Sequence, residues 1–192
     1  MVQRTKKLGI ILCGGKSSRM GTEKGLVEWK GKALIEYSVD CLKNICDELL
    51  VSSNSDFYHY LNFRVIKDEI MNCGPIGGIY SCMKEVKADY YFVISCDVPN
   101  VTSSLYQDLL KNIGTSDLIY AVDEFGKKQP LVSIFKSTSF SVIEKELVKG
   151  NYKMMKLLSL IPHVEFNVLK GLDYYSPTIL SNVNSADELR NL

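Results

Sequence analysis

The sequence predicts an α/β fold with a mainly parallel central sheet. Short apolar runs of strand length alternate with helix-length runs along the chain. Polar residues also stand where successive strands stop: Gly14, Asn54, Asp68 and Asp97 follow the first four. In open α/β sheets the ligand crevice lies at the carboxyl ends of the strands, so residues distant in sequence are expected to converge there.

The elements follow in order. Leu8–Leu12 is an apolar run stopped by the pair Gly14-Gly15, which reads as a first strand. Ala33–Lys43 places Leu34, Tyr37, Val39 and Leu42 at roughly helical spacing. Glu48–Ser53 and Phe63–Lys67 are further strands, ended by Asn54 and Asp68. Pro75 precedes a helix over Ile76–Val86, and Tyr90–Ser95 is a buried-type strand running into Cys96-Asp97-Val98-Pro99. A helix over Ser103–Asn112 and strands over Asp117–Val122 and Leu131–Phe135 come next. Ser139 is placed to cap a helix over Phe140–Lys149, with Gly150 closing it. Tyr152–Leu160 reads as a helix and His163–Val168 as a late strand, while Ser185 and Glu188 have capping-box spacing for a short final helix.

Size and charge narrow the function. The 192 residues suit a single domain spanning 1–192 with a large buried core. A net charge of +1 gives no field that would draw nucleic acid or an anionic membrane. No apolar run reaches transmembrane length, and the N-terminal one is too short for a signal peptide. The six cysteines form no C-x-x-C pair and there are two histidines, which argues against a zinc site. Cys13, Cys82 and Cys96 lie among apolar residues and read as small buried hydrophobes. The cytoplasm is the expected compartment.

The segment from Leu12 to Lys24, Leu-Cys-Gly-Gly-Lys-Ser-Ser-Arg-Met-Gly-Thr-Glu-Lys, carries most of the chemistry. Glycines let backbone N–H groups approach an anion closely, and Arg19 and Lys24 add cations, a combination suited to a polyphosphate. It is not a P-loop: Gly15-Lys16-Ser17 supplies the end of G-x-x-x-x-G-K-[ST], but Ile10 holds the upstream glycine position. The dinucleotide fingerprint G-x-G-x-x-G is absent as well. Asp97, at a strand end, suits either a Mg²⁺ ligand or a turn aspartate before proline. Gly74-Pro75-Ile76-Gly77-Gly78 fits close backbone approach to something flat or crowded, or a tight loop with unusual dihedrals. Asn182 and Asn184 share a face if extended and suit a metal or phosphate, or a helix cap. Gln129-Pro130-Leu131 and the stretch Lys149 to Lys153 are candidates for a second substrate, or plain loops.

Together these pieces resemble the molybdenum cofactor guanylyltransferases of the nucleotidyltransferase superfamily. The resemblance rests on Leu12–Lys24, Asp68, Gly74–Gly78, Cys96–Pro99 and Asn182–Leu189, in the family's order. It implies a three-layer Rossmann-like fold and transfer of GMP from GTP, with Mg²⁺, to the phosphate of molybdenum-bearing molybdopterin, releasing pyrophosphate. By similarity Leu12, Cys13, Gly14, Lys24, Asn54, Asp68 and Asp97 bind GTP; Asp97 also holds the metal, and Asn184 matches a second metal ligand of more distant sugar nucleotidyltransferases. Arg19 and Lys24 would neutralise the departing pyrophosphate, with Gly14 and Gly15 donating N–H groups to it. Gly14 stands where cytidylyl relatives usually have alanine, which leaves room for a purine. Cys13 replaces the usual alanine, Gln129 a histidine, and Asn151-Tyr152-Lys153 an arginine-rich stretch; the last two lie where the pterin is expected. Molybdoenzyme-maturation proteins are the partners implied. The alternatives are a cytidylyltransferase for the same pterin, a sugar-phosphate nucleotidyltransferase, and a non-catalytic nucleotide-binding adaptor.

Overall fold

In the computed structural model, which describes residues 4–14, 23–183 and 188–189, strand β1 (Lys7–Leu12) lies inside a seven-stranded sheet. It pairs in parallel with β4 (Glu48–Ser52) on one side and β6 (Tyr90–Ser95) on the other. Beyond β4 lies β5 (Arg64–Ile66), again parallel. Beyond β6 the sheet continues through β8 (Lys128–Lys136), β7 (Leu118–Val122) and β9 (His163–Asn167). β8 is antiparallel to both neighbours and β9 is parallel to β7, so all strands but β8 point one way.

Helices cover both faces. Successive side chains of a strand point to opposite faces, and in β1 that sends Ile10 and Ile11 into two different cores. Ile11 packs with residues of α1 (Leu34–Leu42) and α3 (Ser103–Asn112), among them Ile35, Leu42, Leu105 and Leu109. Ile10 packs with α2 (Pro75–Glu85), α4 (Phe140–Val148) and α5 (Met154–Leu160), through Ile79, Met83, Ile143, Leu147 and Leu157. A small third cluster joins Leu34, at the start of α1, to Val183 and Leu189 near the C-terminus. No described helix is long and apolar enough to cross a membrane.

The sequence-based elements need three corrections. Ser139 does not cap α4: it has helical backbone angles and its hydroxyl donates to the Lys136 carbonyl at 2.6 Å, ending a 3₁₀ turn over Ser137–Ser139 that leads into the helix. Gly150 does close α4. At φ +75° its N–H bonds the Leu147 carbonyl and the Asn151 N–H bonds that of Glu146, both at 2.9 Å, the Schellman pattern. The strand expected over Leu131–Phe135 starts at Lys128 and passes through an irregularity, where Ala121 faces Gln129 but Tyr120 faces Ser133. Pro130, which has no N–H to give a ladder, sits in that interruption, and Ser133 Oγ donates to its carbonyl at 2.9 Å. The sequence reading also omits a hairpin, β2 (Glu28–Trp29) and β3 (Lys32–Ala33). Its two-residue turn puts Lys30 and Gly31 at φ +48° and +78°, the left-handed pair that a tight hairpin requires. The Ala33 N–H then bonds the Glu36 carboxylate at 2.8 Å, which caps α1. Ser185, the expected cap of the final helix, lies outside the described residues; Glu188 and Leu189 are helical.

Candidate nucleotide site

The carboxyl ends of β1, β4 and β6 form a continuous edge. The ladder runs past β1: the Cys13 N–H bonds the Ser52 carbonyl at 2.9 Å, and the Cys96 N–H bonds the Leu12 carbonyl at 3.1 Å. Leu12 and Cys13 are thereby buried and held from both sides, and the Cys13 thiol is pushed well up by burial and by its hydrogen bond with Cys96. The next residue, Gly14, is exposed, and a methyl group added to it would meet nothing within 4 Å among the described residues. Gly14 thus stands at the carboxyl end of β1, where a ligand crevice is expected.

Lys24 reaches this edge from an anchored segment. It opens a 3₁₀ turn over Lys24–Leu26, and a Cβ on Gly25 would lie 2.7 Å from the Tyr58 hydroxyl, so only glycine lets the turn sit against that buried ring. The same hydroxyl donates to Glu23 Oε2 at 3.3 Å. Burial is the main cause of the strongly raised Tyr58 phenol, with Cys13, Cys96 and Glu23 beside it. From this base Lys24 Nζ donates to Asp97 Oδ2 at 2.8 Å. The side chains are 23% and 14% exposed, so the pair is largely withdrawn from water. The other oxygen, Asp97 Oδ1, is buried with no hydrogen-bond partner among the described residues. The backbone of Asp97 is fixed from the far end of the chain, its carbonyl accepting from the Val183 N–H at 2.8 Å.

Asn54 and Asp68, which follow β4 and β5, meet in a reciprocal pair. Asn54 Nδ2 donates to Asp68 Oδ2 at 3.1 Å, and the Asp68 N–H donates to Asn54 Oδ1 at 2.9 Å. Burial raises the Asp68 carboxyl above its ordinary value, with the Asn54 amide opposing the shift. Gly14, Lys24, Asn54, Asp68 and Asp97 thus lie along one edge of the sheet, the last four as two bonded pairs, Lys24 with Asp97 and Asn54 with Asp68. Gly15, Arg19 and Asn184 lie outside the described residues.

The glycines of the Gly74–Gly78 loop serve close approach to the protein itself. Gly74 takes φ +63° at the N-terminus of α2. A Cβ on Gly78 would overlap Ser52 Oγ, and one on Gly77 would stand 3.1 Å from Cys73 Cβ and 3.2 Å from the Ile70 carbonyl. Gly78 thus lets α2 press against the end of the sheet at Ser52 and Leu12, and Gly77 lets it lie against the loop at Ile70 and Cys73. Asn151 likewise has structural bonds: its Nδ2 donates to Glu146 Oε2 at 2.7 Å, and Lys156 Nζ donates to its Oδ1 at 2.9 Å, which ties α4 to α5. The neighbouring Cys73 thiol, in the loop before α2, raises the Tyr152 phenol above its ordinary value. Gln129 is buried where β8 meets Ala121. Sequence reasoning missed Tyr58 and Glu23; the one local signal is Gly25, directly after Lys24.

The arrangement suits a metal shared with a ligand. Among the described residues no three His, Cys, Asp or Glu side chains are grouped to hold an ion. A single strand-end carboxylate with one bare buried oxygen fits Mg²⁺, which takes one or two carboxylates and fills its other positions from phosphates and water. A family description, MobA-like NTP transferase domain, matches residues 9–165, a span that contains the whole edge except the strap at Val183. The chain belongs to the MobA-like NTP transferase family. It is a nucleotidyltransferase, and its curated relatives agree. This MobA-like transferase is 34% identical to the "Probable molybdenum cofactor guanylyltransferase" of Flavobacterium johnsoniae, over 95% of this chain and 94% of that protein. A protein of the same name from Clostridium perfringens is 29% identical over 97% and 96% of the two chains. In fold it is similar to the molybdopterin-guanine dinucleotide biosynthesis protein A from Archaeoglobus fulgidus, with a TM-score of 0.78, 21% identity, and coverage of 96% and 95%.

Proposed function

We propose that this MobA-like transferase moves GMP from GTP to the phosphate of molybdenum-bearing molybdopterin and releases pyrophosphate. The observation that carries the reading is the largely buried Lys24–Asp97 pair, with one carboxylate oxygen that has no partner among the described residues, on the strand edge where Gly14 ends β1. The names of the curated relatives supply the nucleotide and the acceptor.

Asp97 would hold Mg²⁺, which would supply charge neutralisation at the α-phosphate when bound. The remaining work falls to the chain. Leu12, Cys13 and Gly14 present backbone at the strand edge to the nucleotide. Asp68, oriented through one oxygen by Asn54, offers the other to the N–H groups of guanine. Lys24 balances negative charge that builds on the leaving pyrophosphate, and Arg19 and the Gly15 N–H are assigned to the same task. Asn184 is assigned as a further metal ligand. An oxygen of the acceptor phosphate attacks the α-phosphorus as the bond to pyrophosphate breaks. The acceptor is already an anion, so no general base is required, and catalysis is positioning and charge control. The absence of a methyl at Gly14, where one would meet no described residue within 4 Å, is assigned to leaving room for the purine. A cytoplasmic, reducing setting fits the six unpaired cysteines.

The test is a nucleotide screen: GTP, CTP, ATP and UTP, each with molybdopterin and Mg²⁺, followed by product mass and released pyrophosphate. A guanylylated pterin with one pyrophosphate per product is expected. A cytidylylated product would reassign the base, and nucleotide binding without pyrophosphate release would make the protein an adaptor.

A further inference from the structure

We propose that Tyr58 is a positioning residue for the nucleotide: its ring and hydroxyl set where the turn carrying Lys24 sits relative to the segment carrying Asn54. The inference rests on the nucleotidyltransferase reading and adds to it a residue that acts through another and touches no substrate.

Three observations carry it. First, Tyr58 is the buried residue of a 3₁₀ turn, Asp56–Leu61, whose other aromatic residues face outward: Phe57 is 65% exposed and Tyr60 52%. Second, the residues on both sides of Lys24 rest on this one side chain. Glu23 Oε2 accepts from its hydroxyl at 3.3 Å, and a Cβ on Gly25 would stand 2.7 Å from the hydroxyl and 3.0 Å from ring carbon Cε1. Third, the turn bearing Tyr58 is itself held on the side assigned to the base. The Phe57 N–H donates to Ser55 Oγ at 3.3 Å, and Lys67 Nζ pairs with Asp56 at 2.9 Å. Asn54, four residues before Tyr58, is bonded to Asp68.

The hydroxyl argues for more than packing. A phenylalanine would fill the same core without taking a polar group out of water, which costs free energy unless that group is bonded. The acceptor this hydroxyl finds is Glu23, the residue before Lys24. An aromatic side chain has only two rotatable bonds, so it fixes a distance at low entropic cost. A lysine has four and is well placed only if its backbone is. Tyr58 thus carries the placement of the Asn54 segment over to Lys24, so that base and phosphates meet groups already set at one spacing. Such preorganisation is gained in affinity, because the ligand does not have to order the site.

The experiment is calorimetric titration with GTP and with GMP, both with Mg²⁺ and without acceptor. Tyr58→Phe should weaken GTP about fivefold, the worth of one hydrogen bond, and move GMP by less than about twofold, because GMP lacks the phosphates assigned to Lys24. In a Lys24→Ala background Tyr58→Phe should cost nothing further, since a residue acting through Lys24 has nothing left to place. Gly25→Ala, which wedges the turn off the ring, should weaken GTP and spare GMP in the same way, and should cost less when the hydroxyl is removed as well. Unchanged GTP affinity in Tyr58→Phe, equal weakening of GTP and GMP, or the same loss with Lys24 absent each overturns the proposal. Should Tyr58→Phe fail to fold, Gly25→Ala alone and in the Lys24→Ala background decides by the same readings. None of them depends on product formation. A protein that passes them yet makes no guanylylated pterin would lose the proposed reaction and keep this inference, whereas a wild type that binds no nucleotide would end both.

Discussion

At Asp97 the two oxygens of one carboxylate meet different environments, one against an ammonium and one bare within the protein. That asymmetry makes Asp97→Ala the most direct test of the chemistry. Metal-assisted charge control is worth several kcal/mol, so turnover should fall about a hundredfold or more. Turnover within a few fold of wild type would take Asp97 out of the mechanism. Gly14→Ala tests the base. Because the added methyl meets no atom of the described residues, the melting temperature should stay put, and a fall in the ratio of GTP to CTP turnover would come from the ligand; an unchanged ratio would show that the base is read elsewhere. Asp68 sets stability against function. Its folded-state carboxyl is raised, so its contribution to folding is fully present below the ordinary carboxylate value and is lost as pH rises through the folded one. At neutral pH the half-buried charge is a liability. Asp68→Asn should therefore melt above wild type near pH 7.5, lose that margin near pH 4, and bind GTP more weakly. Thermal melts at the two pH values check the first part; a margin that grew toward acid would contradict the assignment.

Among the elements, α2 shows how strictly glycine sets a packing distance. Gly78 brings the helix onto the end of β4 so closely that any Cβ overlaps Ser52 Oγ and presses Leu12 Cδ2 at 3.2 Å. Gly78→Ala should cost about 1–3 kcal/mol, the usual range for overpacking, and should shift the urea midpoint. A midpoint equal to wild type would mean that the helix has room to move. The same loop marks the limit of reading elements from sequence. Its glycines announce close approach without saying to what, and the partners prove to be the end of the sheet and the loop at Ile70 and Cys73. The strands of the parallel half, Leu8–Leu12, Glu48–Ser53 and Tyr90–Ser95, were readable because each is an apolar run ended by a polar residue. The direction of β8 was not, because alternation is the same in parallel and antiparallel strands. Its Lys128–Pro130 start was hidden by the proline, and the two-residue strands β2 and β3 are too short to show a period. Ser139 had the right residue type for a cap, but a preceding 3₁₀ turn took its hydroxyl.

On the scale of the whole molecule, the edge was foreseeable because strand ends in a parallel sheet share one side whatever their distance along the chain. That placed Gly14, Asn54, Asp68 and Asp97 together. The pairs within it were not foreseeable: Lys24 with Asp97 and Asn54 with Asp68 depend on where loops cross, which no local pattern encodes. The return of the C-terminal segment toward Asp97 was implied only by the resemblance, through Asn184, and its packing against α1 was not foreseeable. That segment returns to the site, donates the Val183 N–H to the Asp97 carbonyl, and buries Val183 and Leu189 against Leu34 at the start of α1. A change there should loosen the same region that binds the nucleotide. Leu189→Ala removes one of the three buried members of this small cluster and should destabilise by about 2 kcal/mol, the low end for such truncations because the cluster is shallow. Ligand that binds only the folded form stabilises it by mass action. Saturating Mg²⁺ and GTP should therefore raise the urea midpoint of the variant. If the strap supports Asp97, that rise will be smaller than in wild type, because part of the binding energy goes into holding the carbonyl in place. Equal rises would show that the cluster stabilises the fold without touching the site.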